Sequence, residues 1–438
     1  MDIGTLTLVI VVSMATLLIA GVPLAFVSGA IAVVIAYANF GTGGLFILGS
    51  RTAELLSSFA LVAVPMFVLM ASIFERTGFA RDLYRALQLL TGEFRGGVAV
   101  ITIAIAVVLG ATTGIIGGEI VLLGLVALPQ MLRLGYDRRL AIGTITAGGS
   151  LGTMIPPSII LIFYGINAEV SISSLFLATL VPGLLLAGLY VAYVLVISRL
   201  RPALAPVSSD AGVRATRAEK IEAIRAVALP LAVALSVLAS IYTGLASITE
   251  SAAVGVLGAT FAAIVRGQMT FTLLKQAVVQ SMRTCGMVFW LVFGTNALVG
   301  IYNVLGGIAY AKGLLAGVSS DPTIILLTMI AVFIALGFFM DWIGILFLTM
   351  PIFLPVLTAQ GYDPIWFGIV FNLSMQIAYL TPPFGPACFY LKGVAPPEIS
   401  LSDIYAAQWP FIALQVVALA IVVAFPGLSL WLPRLVYG

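Results

Sequence analysis

Histidine is absent from the 438-residue sequence, and Cys285 and Cys388 are its only cysteines. Histidine-based catalytic triads, histidine metal sites and histidine proton relays are therefore excluded. A disulfide framework, a cysteine-rich zinc site and an iron–sulfur cluster are excluded as well, because each needs more thiols than the chain has.

Charged residues are also scarce. Asp, Glu, Lys and Arg make up 8% of the chain and hydrophobic residues 62%, and the mean hydropathy is +1.20. A soluble domain has about 25% charged residues, so this chain has too little polar surface to fold in water. The net charge of +3 gives no reason to expect a nucleic-acid partner. The composition predicts a polytopic membrane protein in contact with lipid.

Apolar runs long enough for a hydrocarbon core of about 30 Å recur along the whole sequence. The first begins close to Met1-Asp2, which offers no basic n-region, so we interpret it as a membrane segment and not as a cleaved signal peptide. One stretch, 198–225, interrupts the pattern with Arg, Lys, Pro, Ser and Asp. We therefore expect an all-α membrane protein with a solvated linker about halfway along.

Short motifs from the first half recur in the second half at a constant spacing. Gly135-Tyr136-Asp137 matches Gly361-Tyr362-Asp363, and Pro156-Pro157 matches Pro382-Pro383, both at a shift of 226 positions (361 minus 135). Several motifs in one register indicate an internal duplication. The predicted domains are a first repeat, a linker and a second repeat, at 1–197, 198–225 and 226–438.

Each predicted repeat contains one apolar run that is too long for a single crossing. The run at about 98–132 is interrupted by glycines from Gly110 to Gly118, and the run at about 323–358 is interrupted between Gly337 and Gly344. Two short arms joined by a glycine-rich tip predict a re-entrant hairpin, which needs a protein-lined or water-filled surrounding for its tip. Two complete antiparallel helices are the alternative.

The distribution of positive charge distinguishes these alternatives. With re-entrant hairpins each repeat crosses the membrane about five times, so the two repeats are inverted relative to each other. On that topology 17 of the 20 Lys and Arg residues lie on one side, and only Arg51, Lys312 and Arg434 lie on the other. Lys and Arg concentrate on the cytoplasmic side. We therefore expect inverted repeats with the linker in the cytoplasm.

A helix broken in its middle follows each predicted hairpin. The first, at about 140–165, is broken around Pro156-Pro157, and the second, at about 364–391, around Pro382-Pro383. Proline lacks a backbone N–H and frees carbonyls one turn earlier, and bare carbonyls at membrane depth survive only where they line a cavity or hold an ion. One such pair is compatible with an ordinary kink, whereas two in register are typical of secondary transporters.

These stretches also carry a family resemblance. The segments "GYDRRLAIGTITAGGSLGTMIPPSIILIFYG" (135–165), "FFMDWIGILFLTMPIFLPVLTAQGYDPIWFGI" (from 338) and "LTPPFGP" (380–386) resemble the large membrane subunit of TRAP transporters, the tripartite ATP-independent periplasmic transporters. The resemblance covers essentially the whole chain. It implies a sodium-driven importer of organic acids that works by an elevator movement. It also implies two partners, a periplasmic substrate-binding protein and a small four-helix membrane subunit.

The resemblance further implies where ions and substrate bind. In this family the sodium ligands come from the hairpin tips and from the turns before each Pro-Pro pair, mostly as main-chain carbonyls, which suits a hard cation. The residues implied for the first sodium site are Thr113, Gly152, Ile155 and Pro157. Those implied for the second are Gly337, Asp341, Ala378, Thr381 and Pro383. Those implied for the substrate are Thr112, Gly114 and Asp341. No cofactor besides the coupling sodium ions is expected.

Two departures from the family pattern bear on the substrate. Ile115-Ile116 stands where many members have a serine pair, and Tyr302-Asn303 stands where many have an arginine suited to a substrate carboxylate. We therefore expect a smaller or less polar acid, a monocarboxylate or oxo acid rather than a sugar acid or a dicarboxylate.

Three membrane-embedded acids leave alternatives open. Asp341 is interpreted as handling substrate or ion, Glu119 as either a cap of hairpin amides or a transport residue, and Glu250 as structural. Proton coupling through Asp341 is the alternative to sodium coupling. A membrane enzyme is disfavoured because histidine is absent and the hairpin acids lie on opposite hairpins. A channel would not need duplicated breaks to bind coupling ions.

Overall fold

The computed structural model describes residues 2–90, 94–114, 116–206 and 217–438. Over these residues the chain forms α-helices and three short 3-10 turns and contains no strand, which confirms the predicted all-α fold. The helices of the first half are α1 Ile3–Ile19, α2 Leu24–Phe40, α3 Thr42–Leu56, α4 Ala63–Arg76, α5 Phe79–Leu90, α6 Gly97–Thr113, α7 Gly118–Arg133, α8 Arg138–Ser150, α9 Ile159–Ala168 and α10 Ile172–Leu200. Those of the second half are α11 Arg217–Tyr242, α12 Ile248–Val265, α13 Phe271–Val304, α14 Gly307–Ala316, α15 Pro322–Gly337, α16 Trp342–Ala359, α17 Pro364–Leu380, α18 Pro386–Lys392, α19 Leu401–Ala424 and α20 Gly427–Tyr437.

Many of these helices are suited to a bilayer. Six segments of the described chain are long and apolar enough to cross it: Phe59–Arg76, α10, α12, α13, α16 and α19. Shorter apolar helices, among them α6, α15 and α17, accompany them. At a rise of 1.5 Å per residue, the 17 residues of α6 span about 26 Å. The chain is a multi-pass membrane protein.

The second half repeats the helix order of the first half. The hairpin arms α6 and α7 are followed by α8, α9 and α10, and the arms α15 and α16 are followed by α17, α18 and α19, at a spacing of about 226 positions. The arms of the first hairpin end at the tip 114–117 and those of the second at the tip 338–341, inside the interruptions expected from their glycines. The bounds of both hairpins and both broken helices thus lie within a few residues of the sequence-based expectation.

The first half has a break between α3 and α4 that the second half lacks. In the first half α3 ends at Leu56 and α4 begins at Ala63, whereas α13 runs without interruption over 34 residues. Pro65 lies in the first turn of α4, where its missing N–H breaks continuity with the preceding turn. α13 contains no proline. The polar stretch at 271–283 is therefore the N-terminal part of one long helix.

Helix also occupies both ends of the expected 198–225 linker. α10 continues to Leu200, and α11 begins at Arg217, while 207–216 lies outside the described residues. The start of α11 reads Arg217-Ala-Glu-Lys-Ile-Glu222, and Ala, Glu, Lys and Arg have high helix propensity. Both ends of the 198–225 segment are therefore helical, although the segment contains no apolar run.

The two broken helices lie at the centre of the molecule. Every residue of α8 from Leu140 to Ser150 is buried, and so is every residue of α17 from Trp366 to Leu380. α1, α2 and α12, by contrast, expose large apolar side chains such as Leu8, Val34 and Leu257, as expected of lipid-facing surface. The first Pro-Pro pair is buried with α8, whereas Pro382 is half-buried and Pro383 is exposed.

Candidate ion and substrate sites

The first break separates α8 from α9 over eight residues. α8 ends at Ser150, a 3-10 turn covers Leu151–Thr153, and α9 begins at Ile159. The bond between Pro156 and Pro157 is cis, as is its counterpart in the second half. The two prolines cannot donate hydrogen bonds to the preceding turn. Carbonyls of that turn therefore need other partners.

Side chains from neighbouring helices supply some of those partners. Nε2 of Gln376 donates to the carbonyl oxygen of Ser150 at 3.0 Å. The carbonyl oxygen of Thr153 accepts from Nδ2 of Asn372 at 2.9 Å and from Oγ of Ser158 at 2.7 Å. Thr179 Oγ1 donates to the carbonyl of Met154 at 2.9 Å. Asn372 and Gln376, both of α17, thus place their amides against the first break.

Other carbonyls of the break have no such partner. Among the described residues, no donor is hydrogen-bonded to the main-chain oxygens of Gly152, Ile155 or Pro157. These are the three main-chain positions expected for the first sodium site. Unpaired backbone oxygens are rare in a protein interior and need an explanation such as a bound ion. The carbonyls of Ser150, Leu151, Thr153 and Met154 are capped, whereas these three and that of Pro156 have no donor among the described residues.

The tip of the first hairpin packs directly on this break. The main-chain N–H of Ile159 donates to the carbonyl of Gly114 at 3.2 Å, and a methyl group on Gly114 would collide with the carbonyl oxygen of Pro157. A methyl group on Gly110 would lie 2.7 Å from Cα of Gly152. The glycines therefore allow two backbones to approach closely. Thr113, at the end of α6, belongs to the same contact region.

The two threonines at the tip have different surroundings. Oγ1 of Thr113 contacts Oε1 of Glu119 and lies 3.2 Å from the carbonyl oxygen of Leu109. Oγ1 of Thr112 donates to the same carbonyl at 2.7 Å and is fully buried. Thr112 was expected to contact substrate, but it faces away from the central cavity described below. Glu119 was not included in the first site, and the structure brings it there, since a methyl on Gly152 would lie 2.5 Å from its Oε1.

The second break differs from the first in its hydrogen bonding. Gly337 packs on Ala378, as Gly110 does on Gly152. The carbonyl of Ala378 accepts from the N–H of Thr381 at 3.4 Å, and the carbonyl of Pro383 accepts from the hydroxyl of Tyr405 at 2.7 Å. Thr381 donates its own hydroxyl to the carbonyl of Ile377 at 2.6 Å. The expected residues of the second site are close together, but two of its carbonyls already have donors.

A cavity of about 250 Å³ lies between the two hairpin tips. Gly114 and Asp341 line it from opposite hairpins, so two of the three residues expected to contact substrate are brought together. Asp341 is the N-cap of α16, yet its side chain makes no capping hydrogen bond. The remaining lining is mostly apolar, with two threonines and one tyrosine, and contains no Lys or Arg among the described residues: Ile116, Thr153, Ile159, Ile160, Thr284, Met287, Val288, Leu291, Trp342, Ile343, Phe384, Pro386 and Tyr390.

Several of these lining residues were missed by sequence reasoning. Thr284, Met287 and Leu291 come from α13, and no signal in one sequence tells which face of a long apolar helix turns towards a cavity. Trp342 follows Asp341 directly, and Phe389-Tyr390 matches Phe163-Tyr164 at the same shift of 226 positions. These two lining residues could therefore have been suspected from the sequence. Of the isoleucine pair at the first tip, Ile116 lines the cavity, and position 115 lies outside the described residues.

A second, larger cavity of about 510 Å³ adjoins the first. The two share Ile116, Thr284, Met287 and Tyr390 as a common wall. The larger cavity extends along the first hairpin towards the end of α4 and the start of α5, where Glu75 and Arg81 line it. Together the cavities form a path from the region of Arg81 to Asp341.

Two other residues singled out in the sequence have structural surroundings. Glu250 forms a capping box with Ser247 at the start of α12, with its Oε2 accepting from the Ser247 N–H at 2.7 Å. The structural interpretation of Glu250 is therefore confirmed. Tyr302 donates or accepts a hydrogen bond with Thr7 at 2.9 Å and does not line the central cavity.

Comparison with known proteins identifies the family. The family model described as "Tripartite ATP-independent periplasmic transporter, DctM component" matches residues 11–428. The chain belongs to this family. It is 29% identical over 440 residues to the ectoine TRAP transporter large permease protein TeaC of Halomonas elongata, covering 99% of this chain and 100% of that protein. It is 28% identical over 417 residues to the C4-dicarboxylate TRAP transporter large permease protein DctM of Vibrio cholerae, covering 89% and 90%.

Two further matches extend the comparison. The isethionate TRAP transporter permease protein DctMQ of Oleidesulfovibrio alaskensis is 29% identical over 425 residues, covering 95% of this chain and 65% of that protein. The crystal structure of the Alcanivorax borkumensis YdaH transporter aligns over 96% of this chain and 98% of that one, with a TM-score of 0.64 and 17% identity. At that identity the likeness concerns the fold alone.

Family membership confirms the sequence-based resemblance and the assignment as a transporter. As the DctM component of a tripartite periplasmic transporter, this TRAP large permease is a transport subunit and not an enzyme. It works with a small membrane subunit and a periplasmic binding protein.

Proposed function

We propose that this TRAP permease imports a small organic acid by sodium coupling, with an elevator-type movement of the hairpins and broken helices. In this proposal the acid is delivered by the periplasmic binding protein, and the small subunit is a four-helix protein that stays fixed in the bacterial inner membrane. The observation that carries the proposal is the set of three open carbonyls, of Gly152, Ile155 and Pro157, held against the hairpin tip at Gly114.

Sodium is the ion that this set of ligands favours. All of the candidate ligands are oxygens, from main-chain carbonyls and the Thr113 hydroxyl, and hard cations prefer oxygen. An unpaired carbonyl in a low-dielectric interior costs about 1–3 kcal/mol, and a bound cation offsets that cost at three positions at once. The second site would use Gly337, Thr381 and Asp341, with Ala378 and Pro383 joining only when their present donors move away.

An inverted arrangement of the two repeats is part of the same proposal. Gln376 and Ser150 are 226 positions apart, the shift that relates the repeats, and they are hydrogen-bonded to each other. Equivalent positions touch only close to the axis that relates two halves. The close approaches Gly110–Gly152 and Gly337–Ala378 are likewise equivalent across the repeats. With the charge distribution, these contacts support inverted repeats and a cytoplasmic 198–225 segment.

The central cavity supports a small monoanionic substrate. Relatives are named for ectoine, for C4-dicarboxylates and for isethionate, so family membership alone does not select a compound. The cavity of about 250 Å³ has a mostly apolar lining and one carboxylate, with no Lys or Arg among the described residues. A dicarboxylate would bring two further negative charges to Asp341. A monocarboxylate or oxo acid brings one, which a sodium ion can balance.

Uptake by the reconstituted three-component system tests the proposal. Uptake is measured first under an imposed sodium gradient and then under a proton gradient in the absence of sodium. We expect activity only in the first condition. Full activity without sodium would replace the proposal with proton coupling, for which Asp341 is the candidate because it is a carboxylate facing a cavity with no cationic side chain among the described residues.

A further inference from the structure

Two glutamates from different helices meet beside the first hairpin tip. Glu75 lies in the last turn of α4 and Glu119 in the first turn of α7. A methyl group on Gly118 would collide with Oε1 of Glu75, so that carboxylate lies against the start of α7. Both glutamates line one void of about 10 Å³, together with Thr112, Thr113 and Gly118. A void of this size accommodates about one water-sized sphere.

The carboxylate of Glu119 is buried and only half satisfied. Its residue is 1% exposed, Oε1 contacts the hydroxyl of Thr113, and Oε2 has no hydrogen-bond partner in the described structure. No Lys or Arg lines the void in the described part of the chain. A buried ionised carboxylate without a partner costs several kcal/mol, so Glu119 needs either a proton or a cation here, and no described side chain that lines the void supplies the cation.

A second polar group points to a ligand on the adjoining side. Oγ of Ser72, one turn before Glu75 on α4, is buried without a partner and belongs to a residue lining the 510 Å³ cavity. Glu75, Thr113 and Gly118 line that cavity as well as the void. An ion arriving through the larger cavity therefore meets Ser72 and Glu75 first and reaches Glu119 behind them. Arg81 lines the outer part of the cavity and can balance Glu75, which leaves one negative charge at the void.

We propose that this void binds one sodium ion, held between the carboxylates of Glu75 and Glu119 with the Thr113 hydroxyl as a further ligand. The site rests on the proposed sodium coupling and adjoins the first break, with which it shares Thr113, but its charged ligands Glu75 and Glu119 do not belong to the carbonyl sites. α4 packs mainly against α12 and α13, whereas α7 packs mainly against α8. An ion that joins Glu75 to Glu119 therefore fastens the first hairpin to α4 and must leave before the two can separate.

Equilibrium binding of radioactive sodium tests the site. The large permease is purified with its small subunit in nanodiscs, and bound sodium per complex is counted in a choline buffer. We expect Glu119→Gln and Glu75→Gln each to bind one sodium ion fewer than the wild type. Glu54→Gln is the matched control, because the Glu54 side chain is 73% exposed on α3, and it should retain the full number.

The outcomes separate this inference from the proposed function. A wild-type complex that binds no sodium would overturn the proposed coupling itself. A wild type that binds sodium, with both glutamine variants retaining every ion, would overturn the carboxylate site and leave the carbonyl sites standing. Displacement of the ion in question by low concentrations of calcium would overturn the assignment to an alkali cation. Because glutamine matches glutamate in shape and removes the buried charge, at least one variant is expected to fold normally.

Discussion

The contact between Gly114 and Pro157 provides the most direct test of the first sodium site. Gly114 has φ of +64°, and a Cβ added to it would overlap the carbonyl oxygen of Pro157, with the carbonyl carbon at 3.1 Å. Gly114→Ala therefore has two effects. It introduces left-handed strain of about 1 kcal/mol, and it forces the Pro157 carbonyl out of position, at a cost of about 1–3 kcal/mol for overpacking.

Gly306→Ala is the matched control for this substitution. Gly306 has φ of +86°, and no atom lies within 4 Å of the added Cβ, so only the strain applies. We expect the control to lose about 1 kcal/mol of stability and Gly114→Ala about 2–4 kcal/mol. Displacing one of three open carbonyls should also raise the sodium concentration at half-maximal uptake at least about tenfold, which corresponds to about 1.4 kcal/mol.

The assay is uptake by the reconstituted complex at a series of sodium concentrations, with thermal unfolding of the same preparations. The control should keep the wild-type sodium dependence. If Gly114→Ala kept a half-saturating sodium concentration within about twofold of Gly306→Ala, the Pro157 carbonyl would not be a sodium ligand, however large the loss of stability.

Four further predictions address the second site, the topology and the partners. Asp341→Asn should reduce sodium-driven uptake while leaving its pH dependence unchanged, and abolition of a pH dependence would favour the proton as driver. Tyr405→Phe removes the donor to the Pro383 carbonyl. It should lower the sodium concentration at half-maximal uptake by up to about tenfold, since a hydrogen bond contributes about 0.5–1.5 kcal/mol. Tyr437→Phe, which loses a hydrogen bond to the carbonyl of residue 241, is the control and should leave that sodium concentration unchanged. A cysteine placed at exposed Arg201 in a cysteine-free background should resist impermeant reagents added outside, and labelling there would refute the inverted topology. The large permease without its small subunit should not catalyse uptake in liposomes.

The hairpins and the breaks could be predicted from sequence because each depends on local chemistry. Glycine-rich tips and Pro-Pro pairs mark turns and helix breaks wherever they occur. Their recurrence at one shift indicated that each half of the chain contains one hairpin and one broken helix. The carbonyls of Gly152, Ile155 and Pro157, which the resemblance implies as sodium ligands, are among those of the first break that have no donor in the described structure.

What sequence could not predict depends on contacts between distant segments. The Tyr405 hydroxyl reaches Pro383 across 22 positions, and Glu75 approaches Gly118 from another helix. No local sequence pattern predicts either contact. The uninterrupted α13 is a different case, because it contains no proline whereas α4 has Pro65 in its first turn, and a comparison of the prolines in the two halves would have indicated it.

The distribution of charge around the two cavities gives a physical reason why an anionic substrate would need a cation to bind with it. Glu75, Glu119 and Asp341 contact the cavities or the void, and of the described lining residues only Arg81, at the outer end, is positive. Two like charges about 4 Å apart at an effective dielectric constant of about 20 repel by about 4 kcal/mol. An anionic substrate that enters beside Asp341 meets a repulsion of that order unless cations bind with it. Under the proposed mechanism, bound sodium therefore allows the cavity to accept an anion. Sodium binding and substrate binding are coupled because the described lining of the central cavity has no cationic side chain of its own.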